Sequence, residues 1–147
     1  MPDAPRILIV TSRYYAHIAA ELEAGVVEGL EKVGATYEFL EVPGAFEIPG
    51  AIAMAAETGE YDGFAALGCV IRGETGHYDL ICNEVARGLM DLSLAGVPVA
   101  FGVLTVESEA QAKVRADHKG KNKGAEVVAA VLRMVGLSYR FTQGREE

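Results

Sequence analysis

The sequence predicts an α/β fold in which a four-stranded parallel sheet lies between two layers of helices. Three observations lead there. Short apolar runs rich in branched residues recur at 6–11, 36–42, 64–71 and 97–105. The segments between them repeat their apolar residues every three or four positions, the period of a helix. Strand and helix then alternate along the whole chain, and successive strands joined by helical crossovers run parallel, with helices on both faces. With 147 residues, 50% of them apolar, the chain reads as one domain, 1–147, with an ordinary core.

The first strand, 6–11 (RILIVT), is apolar enough to be central. It leads through Ser12, Arg13, Tyr14 and Tyr15 into a helix whose stripe is Ile18, Leu22, Val26, Leu30 and Val33, and Gly34 suits its C-terminal cap. Residues 36–42 alternate in part, as a second strand, and Pro43-Gly44 is the expected centre of a type II turn. The next helix must start near Pro49, because proline is tolerated in a first turn and not deeper. Ile52, Ala55 and Ala56 give it a small-residue face, and Gly59 ends it. The third strand, 64–71, reads as buried on both faces and breaks at RGETGH, 72–77. From Tyr78 the pattern is helical, with Ile81, Val85, Leu89 and Leu92 on one face and Glu84, Arg87 and Asp91 on another. Residues 97–105 form the fourth strand, with Pro98 near its start where a missing N–H is tolerated. Ser108 to Gln111 has the spacing of a capping box for a short helix through about Arg115. A polar loop, 116–123, precedes a last helix with Val127, Val128, Val131, Leu132 and Val135 on one side, and the charged end is expected to fray. The economical arrangement is a three-layer α/β/α sandwich of flavodoxin-like type, with strand order 2-1-3-4.

Composition narrows the function. A formal net charge of −8 argues against nucleic acid or an anionic membrane as partner. No apolar run approaches the length of a membrane span, and the first residues lack a signal-peptide pattern. Cys69 and Cys82 fit neither a zinc site nor a C-x-x-C pair, and read as buried reduced thiols of a cytoplasmic protein. No serine-hydrolase elbow, Walker loop or GxGxxG fingerprint is present.

In open parallel sheets ligands bind at the carboxyl ends of the strands. That edge gathers residues 13–15, 44–47, 72–77 and 105–107. The helix after residue 77 offers unpaired N–H groups to an anion such as phosphate, Thr75 can cap that helix or donate its hydroxyl, and His77 can exchange a proton beside it near neutral pH. Tyr14 and Phe46 suit either a sandwich around a planar heterocycle or ordinary packing. Glu47 serves either the following helix dipole or ligand hydroxyls. Arg115 sits where a basic residue favours a helix end, and Lys119, Lys121 and Lys123 have the pattern of a solvated loop. His17 reads as exposed, and His118 has nothing nearby in sequence to recommend it. The residues alone support a small anionic ligand at the rim and no particular reaction.

At these same residues the chain resembles lumazine synthases. The matching blocks are RYY (13–15), VPGAFEIP (42–49), LGCVIRGETGHYD (67–79), CNE (82–84), FGVLT (101–105) and NKG (122–124), in order over nearly the whole chain. VPGAFEIP together with GxVIRGxTxHxD at this separation is very specific. The resemblance implies condensation of 5-amino-6-(D-ribitylamino)uracil with 3,4-dihydroxy-2-butanone 4-phosphate to 6,7-dimethyl-8-ribityllumazine, without cofactor or metal. It implies that Tyr14 stacks on the uracil ring, that Ala45, Phe46 and Glu47 line the same substrate, and that Glu47 accepts ribityl hydroxyls. Cys69, Val70 and Ile71 would offer backbone contacts, Glu74 and Thr75 would hold the butanone phosphate, and His77 would transfer protons. Phe101, Arg115 and Lys123 match residues that a neighbouring subunit contributes, with Arg115 on the phosphate.

Three positions depart from the commonest pattern. Tyr14 stands where phenylalanine or tryptophan is usual, Tyr15 where asparagine often stands, and Glu74 replaces a frequent alanine, so its carboxylate must point away from the phosphate. The family's unit is a ring of five, twelve of which sometimes close into a shell. With only Met1 to Pro5 ahead of the first strand, two of them prolines, the expectation is a free pentamer. The rival function is a carrier of flavin or lumazine on the same scaffold, which would need Tyr14, Phe46 and Glu47 but not Thr75, His77 and Arg115 together.

Overall fold

The computed structural model describes residues 4–73 and 76–142. Strands β1 (Arg6–Ser12), β2 (Thr36–Val42), β3 (Gly63–Ile71) and β4 (Val99–Val106) form one parallel sheet in the order β2-β1-β3-β4, as expected. Helices α1 (Ala16–Lys32), α4 (Glu109–Ala116) and α5 (Lys123–Thr142) pack on one face, and α2 (Ile48–Ala56) and α3 (His77–Leu94) on the other.

Alternation along β1 feeds both layers. Ile7 and Ile9 enter the core under α1 and α5, while Leu8 and Val10 enter the core under α2 and α3. A strand buried on both faces in this way belongs at the centre of a parallel sheet. β2 lies at the edge, and only Val42 of it is buried. Where α1 crosses α5 the backbones approach closely: a Cβ at Gly124 would stand 2.7 Å from the Leu22 carbonyl oxygen and 2.8 Å from the Val26 nitrogen. No side chain fits there.

Several local expectations change. The stripe of α1 ends at Leu30, because Val33 lies beyond the last helical turn and is exposed. Gly34 does end the helix, at φ +74°, with its N–H donating to the Glu31 carbonyl. Gly44 does not sit in a type II turn, which needs φ of about +80° at that position. It is extended, at φ −151° and ψ 173°, and the chain passes into a 3-10 turn, Ala45–Glu47, that continues into α2. Burial of Ala45 and Ile48 draws the chain onto the sheet at once and leaves no room for a wider reversal.

Pro98 lies just before β4 rather than in it, and its carbonyl accepts the Phe64 N–H at 2.9 Å. Ser108 caps α4 by accepting the Gln111 N–H at 3.2 Å. The Gln111 side chain reaches back one residue further than a capping box requires, accepting from the Glu107 N–H at 2.8 Å. Cys69 and Cys82 are free thiols, each half-buried rather than fully enclosed. No helix among the described residues is long and apolar enough to cross a membrane.

Candidate active site

A pocket of about 620 Å³ opens at the carboxyl ends of β1 and β3, beneath the 3-10 turn and the first turns of α3. Tyr14, Ala45, Phe46, Glu47, Cys69, Val70, Ile71 and His77 all line it. The parallel topology explains this gathering, because each of these residues follows or ends a strand on the same edge of the sheet. Tyr15, expected on this edge, also lines the pocket, as do Ser12, Leu80 and Ile81, which the sequence did not place there. For Leu80 and Ile81 the signal was their place in the first two turns of α3.

Two aromatic rings stand at the mouth. Tyr14 is 76% exposed and Phe46 54%, so each ring keeps much of its surface open to solvent. Tyr15 meets Tyr14 edge to face at 5.0 Å and itself packs against the core, which fixes the base of the outer ring. The Tyr15 phenol is pushed up by burial first and by nearby acidic groups second. Deeper in, burial raises the Cys69 thiol to about 11, with the Glu109 carboxylate adding to the effect. The floor is therefore largely apolar, and the Glu47 carboxylate and the His77 imidazole also line the pocket. Such a surface suits a planar heterocycle with polar substituents.

His77 is the first residue of α3 and is exposed. The cap position ahead of it is Gly76, with no side-chain cap, so the cap expected at Thr75 falls one residue later. Glu74 and Thr75 themselves lie outside the described residues. The N-terminus of α3 faces the rim, where its N–H groups and dipole favour an anion.

Phe101, Arg115 and Lys123 lie elsewhere. They line a second depression of about 380 Å³ beside β4, with Thr105, Lys121 and Glu126 among its other residues, and it shares no residue with the pocket. Three cations facing one carboxylate make this groove locally basic on a chain of net charge −8. Lys121 and Lys123 are thus groove residues rather than a merely solvated run, and Arg115 donates to the Gln111 carbonyl at 3.2 Å.

The remaining histidines have structural partners. His17 pairs with Glu109 at 3.0 Å, and its side chain is 52% exposed, as expected. His118 lies 2.9 Å from Glu21 through Nδ1, which ties the loop after α4 to α1 and holds the Glu21 carboxyl below its ordinary value. With Asp117 these two form the one group of three metal-ligand side chains among the described residues, their ligand atoms within 4.8 Å of one another. His118 and Glu21 are already bonded, Asp117 accepts the Lys119 N–H, and none of the three lines the pocket.

The α/β sandwich thus carries an aromatic and carboxylate pocket of small-molecule size at its strand ends and, apart from it, a basic groove. Comparison with known proteins is specific. The family model for 6,7-dimethyl-8-ribityllumazine synthase matches residues 4–138. The chain is 48% identical over 137 residues to the 6,7-dimethyl-8-ribityllumazine synthase of Novosphingobium aromaticivorans, covering 93% of this chain and 99% of that one. It is 52% identical over 133 residues to that of Methylobacterium radiotolerans, covering 90% and 81%. It is 46% identical over 147 residues to that of Bartonella tribocorum, covering 99% and 97%. The chain belongs to the 6,7-dimethyl-8-ribityllumazine synthase family.

Proposed function

We propose that the pocket and the groove are the two halves of one active site, completed between neighbouring subunits, at which 5-amino-6-(D-ribitylamino)uracil meets 3,4-dihydroxy-2-butanone 4-phosphate. The chain is an enzyme of its family, and the reaction forms 6,7-dimethyl-8-ribityllumazine with release of phosphate and water. Tyr14 and Phe46 flank the pyrimidine, Ala45 shapes the wall, and Glu47 accepts hydrogen bonds from the ribityl hydroxyls. Backbone groups of Cys69, Val70 and Ile71 meet the ring edge. The neighbour's groove brings Phe101, Arg115 and Lys123, and the phosphate lies between Arg115 and the segment of Glu74 and Thr75.

The chemistry asks little of any single group. The pyrimidine amine attacks the ketone and loses water to give an imine, and phosphate leaves. The ribitylamino nitrogen then attacks the remaining carbonyl and closes the ring with loss of a second water. Holding two reactants in register supplies much of the acceleration, since effective molarities can reach about 10⁵–10⁸ M. His77 transfers protons, a contribution of roughly 10²–10⁴ in general acid–base catalysis. Arg115 counters the charge of the departing phosphate.

The observation that supports this reading is the partition itself. Residues matched to one site form two depressions with no residue in common, and each carries an exposed aromatic face, Phe46 in one and Phe101 in the other. Exposed Met54, Met90 and Leu94 give self-association further apolar surface. A ring of five is the assembly the resemblance implies. The two free half-buried thiols fit a reducing compartment and support a cytoplasmic location.

The test mixes two defective proteins. Activity is followed as lumazine absorbance above the uncatalysed background, with phosphate released one for one. His77→Ala and Arg115→Ala chains are unfolded together and reassembled. If sites form between subunits, about a quarter of them regain both groups, and activity rises above either parent. If each chain holds a whole site, every site keeps one defect and mixing restores nothing. Light scattering gives the assembly: a mass near five chains is expected, and a sixty-subunit mass overturns the free ring.

A further inference from the structure

Arg72 lines neither depression, yet its side chain joins three elements at the edge of both. Its backbone N–H continues the β3–β4 ladder to the Val106 carbonyl at 3.0 Å. Its Nε donates to Glu107 Oε2 at 2.7 Å, just past the end of β4, and its Nη2 reaches Asp79 Oδ1 at 3.5 Å in the first turn of α3. The guanidinium also stands over the Tyr78 ring, 4.4 Å from its centre. One planar cation thus bonds two carboxylates from different elements and stacks on an aromatic ring. Lysine cannot reproduce that set of contacts, because a point charge has neither the fork nor the flat face.

We propose that Arg72 is a positioning residue: it clamps the first turn of α3 to the end of β4 and thereby sets where His77 stands in the pocket. This rests on the reading of His77 as the proton-transferring group. His77 immediately precedes Tyr78 and lies two residues before Asp79, both held by the guanidinium, and the helix start there has no side-chain cap at Gly76. The hold reaches further on the β4 side, because the Glu107 N–H donates to Gln111 of α4, the helix that carries Arg115. All three charged groups are substantially exposed, so the clamp contributes little to global stability. Its effect is local geometry, and a misplacement of about 1 Å in a catalytic group is costly to rate.

The experiment measures kcat and KM for both substrates in Arg72→Met, Arg72→Lys, His77→Ala and the Arg72→Met, His77→Ala pair, with Tm as a control on folding. Arg72→Met should lower kcat about tenfold with KM changed less than about twofold, and Arg72→Lys should recover only part of the loss. In the His77→Ala background the same substitution should cost less than about twofold, because the clamp acts through the missing imidazole. Full turnover in Arg72→Met beside a slow His77→Ala overturns the clamp alone, as does an undiminished tenfold loss in the paired variant. Full turnover in His77→Ala overturns the reading of His77 and the clamp with it. Should Arg72→Met fail to fold, Glu107→Gln loosens the other end, and a several-fold loss of kcat at unchanged Tm is expected; unchanged kcat there overturns the clamp.

Discussion

The pocket and the groove are built from different parts of the sheet. The pocket is made by the ends of the two central strands, β1 and β3, and by the turn leading into α2. Its walls are largely apolar, and burial, with the Glu109 carboxylate adding to it, pushes the Cys69 thiol up to about 11. The groove lies along edge strand β4 and draws its charge from α4, the following loop and the start of α5. An apolar cleft recognises shape and ring stacking, whereas a basic surface recognises charge. A condensation between a flat heterocycle and a phosphate ester needs both. Neither kind of surface is easily built into the other, since burying three cations in the pocket would carry a large desolvation cost. The proposed division of tasks between two faces, brought together by assembly, avoids that conflict.

The comparison breaks most sharply at Arg115. If the groove handles phosphate, Arg115→Ala lowers kcat/KM for the butanone phosphate about 10²–10³-fold, the usual loss for one charged stabiliser of a leaving group or developing anion. Binding of the ribitylaminouracil, followed by calorimetry in the same variant, should change little. An equal loss for both substrates would mean that groove and pocket are not separate in function, and an unchanged rate would remove Arg115 from the site.

His77 provides the next test. It lines the pocket, and the task proposed for it is proton transfer rather than charge neutralisation. His77→Ala should slow kcat about tenfold to a hundredfold, at the low end of general acid–base effects because the amine is already a competent nucleophile. KM for the phosphate substrate should hold. A KM rise without a change in kcat would place His77 with the groove as a phosphate ligand.

The two regions also differed in how they could be read. The pocket residues follow from topology: once strand and helix alternate, Tyr14, Phe46, Glu47 and His77 must come to one edge, whatever they do there. Nothing in periodicity joins Phe101, Arg115 and Lys123. Arg115 looked like an ordinary helix-end cation and Lys123 like part of a solvated loop, and only the family resemblance grouped them. The structure places all three around one groove, a relation that depends on how α4 and α5 pack against β4. His118 shows the same limit, since its partner Glu21 is 97 residues away in sequence. The turn at Gly44 failed for a different reason: a two-residue turn signal was outweighed by burial of Ala45 and Ile48. Arg72 could be seen at the rim, but its role depends on Glu107 and Asp79 converging from two elements.

The smallest effect concerns the apolar character of the pocket and is read at Cys69. A thiol raised to about 11 from its ordinary 9.0 has about a hundredfold less thiolate near pH 8. A more basic thiolate is also a better nucleophile, which returns roughly tenfold of that. Iodoacetamide should therefore label Cys69 about tenfold more slowly than an ordinary thiol at pH 8, with the rate still climbing past pH 10. Mass spectrometry of the labelled peptide separates Cys69 from Cys82. Bound ribitylaminouracil should slow labelling of Cys69 further, while inorganic phosphate, the ligand proposed for the groove, should leave it nearly unchanged. Rapid labelling near neutral pH would show a well-hydrated cleft, and protection by phosphate in place of the pyrimidine would put the anion in the pocket, undoing the division of labour between the two surfaces.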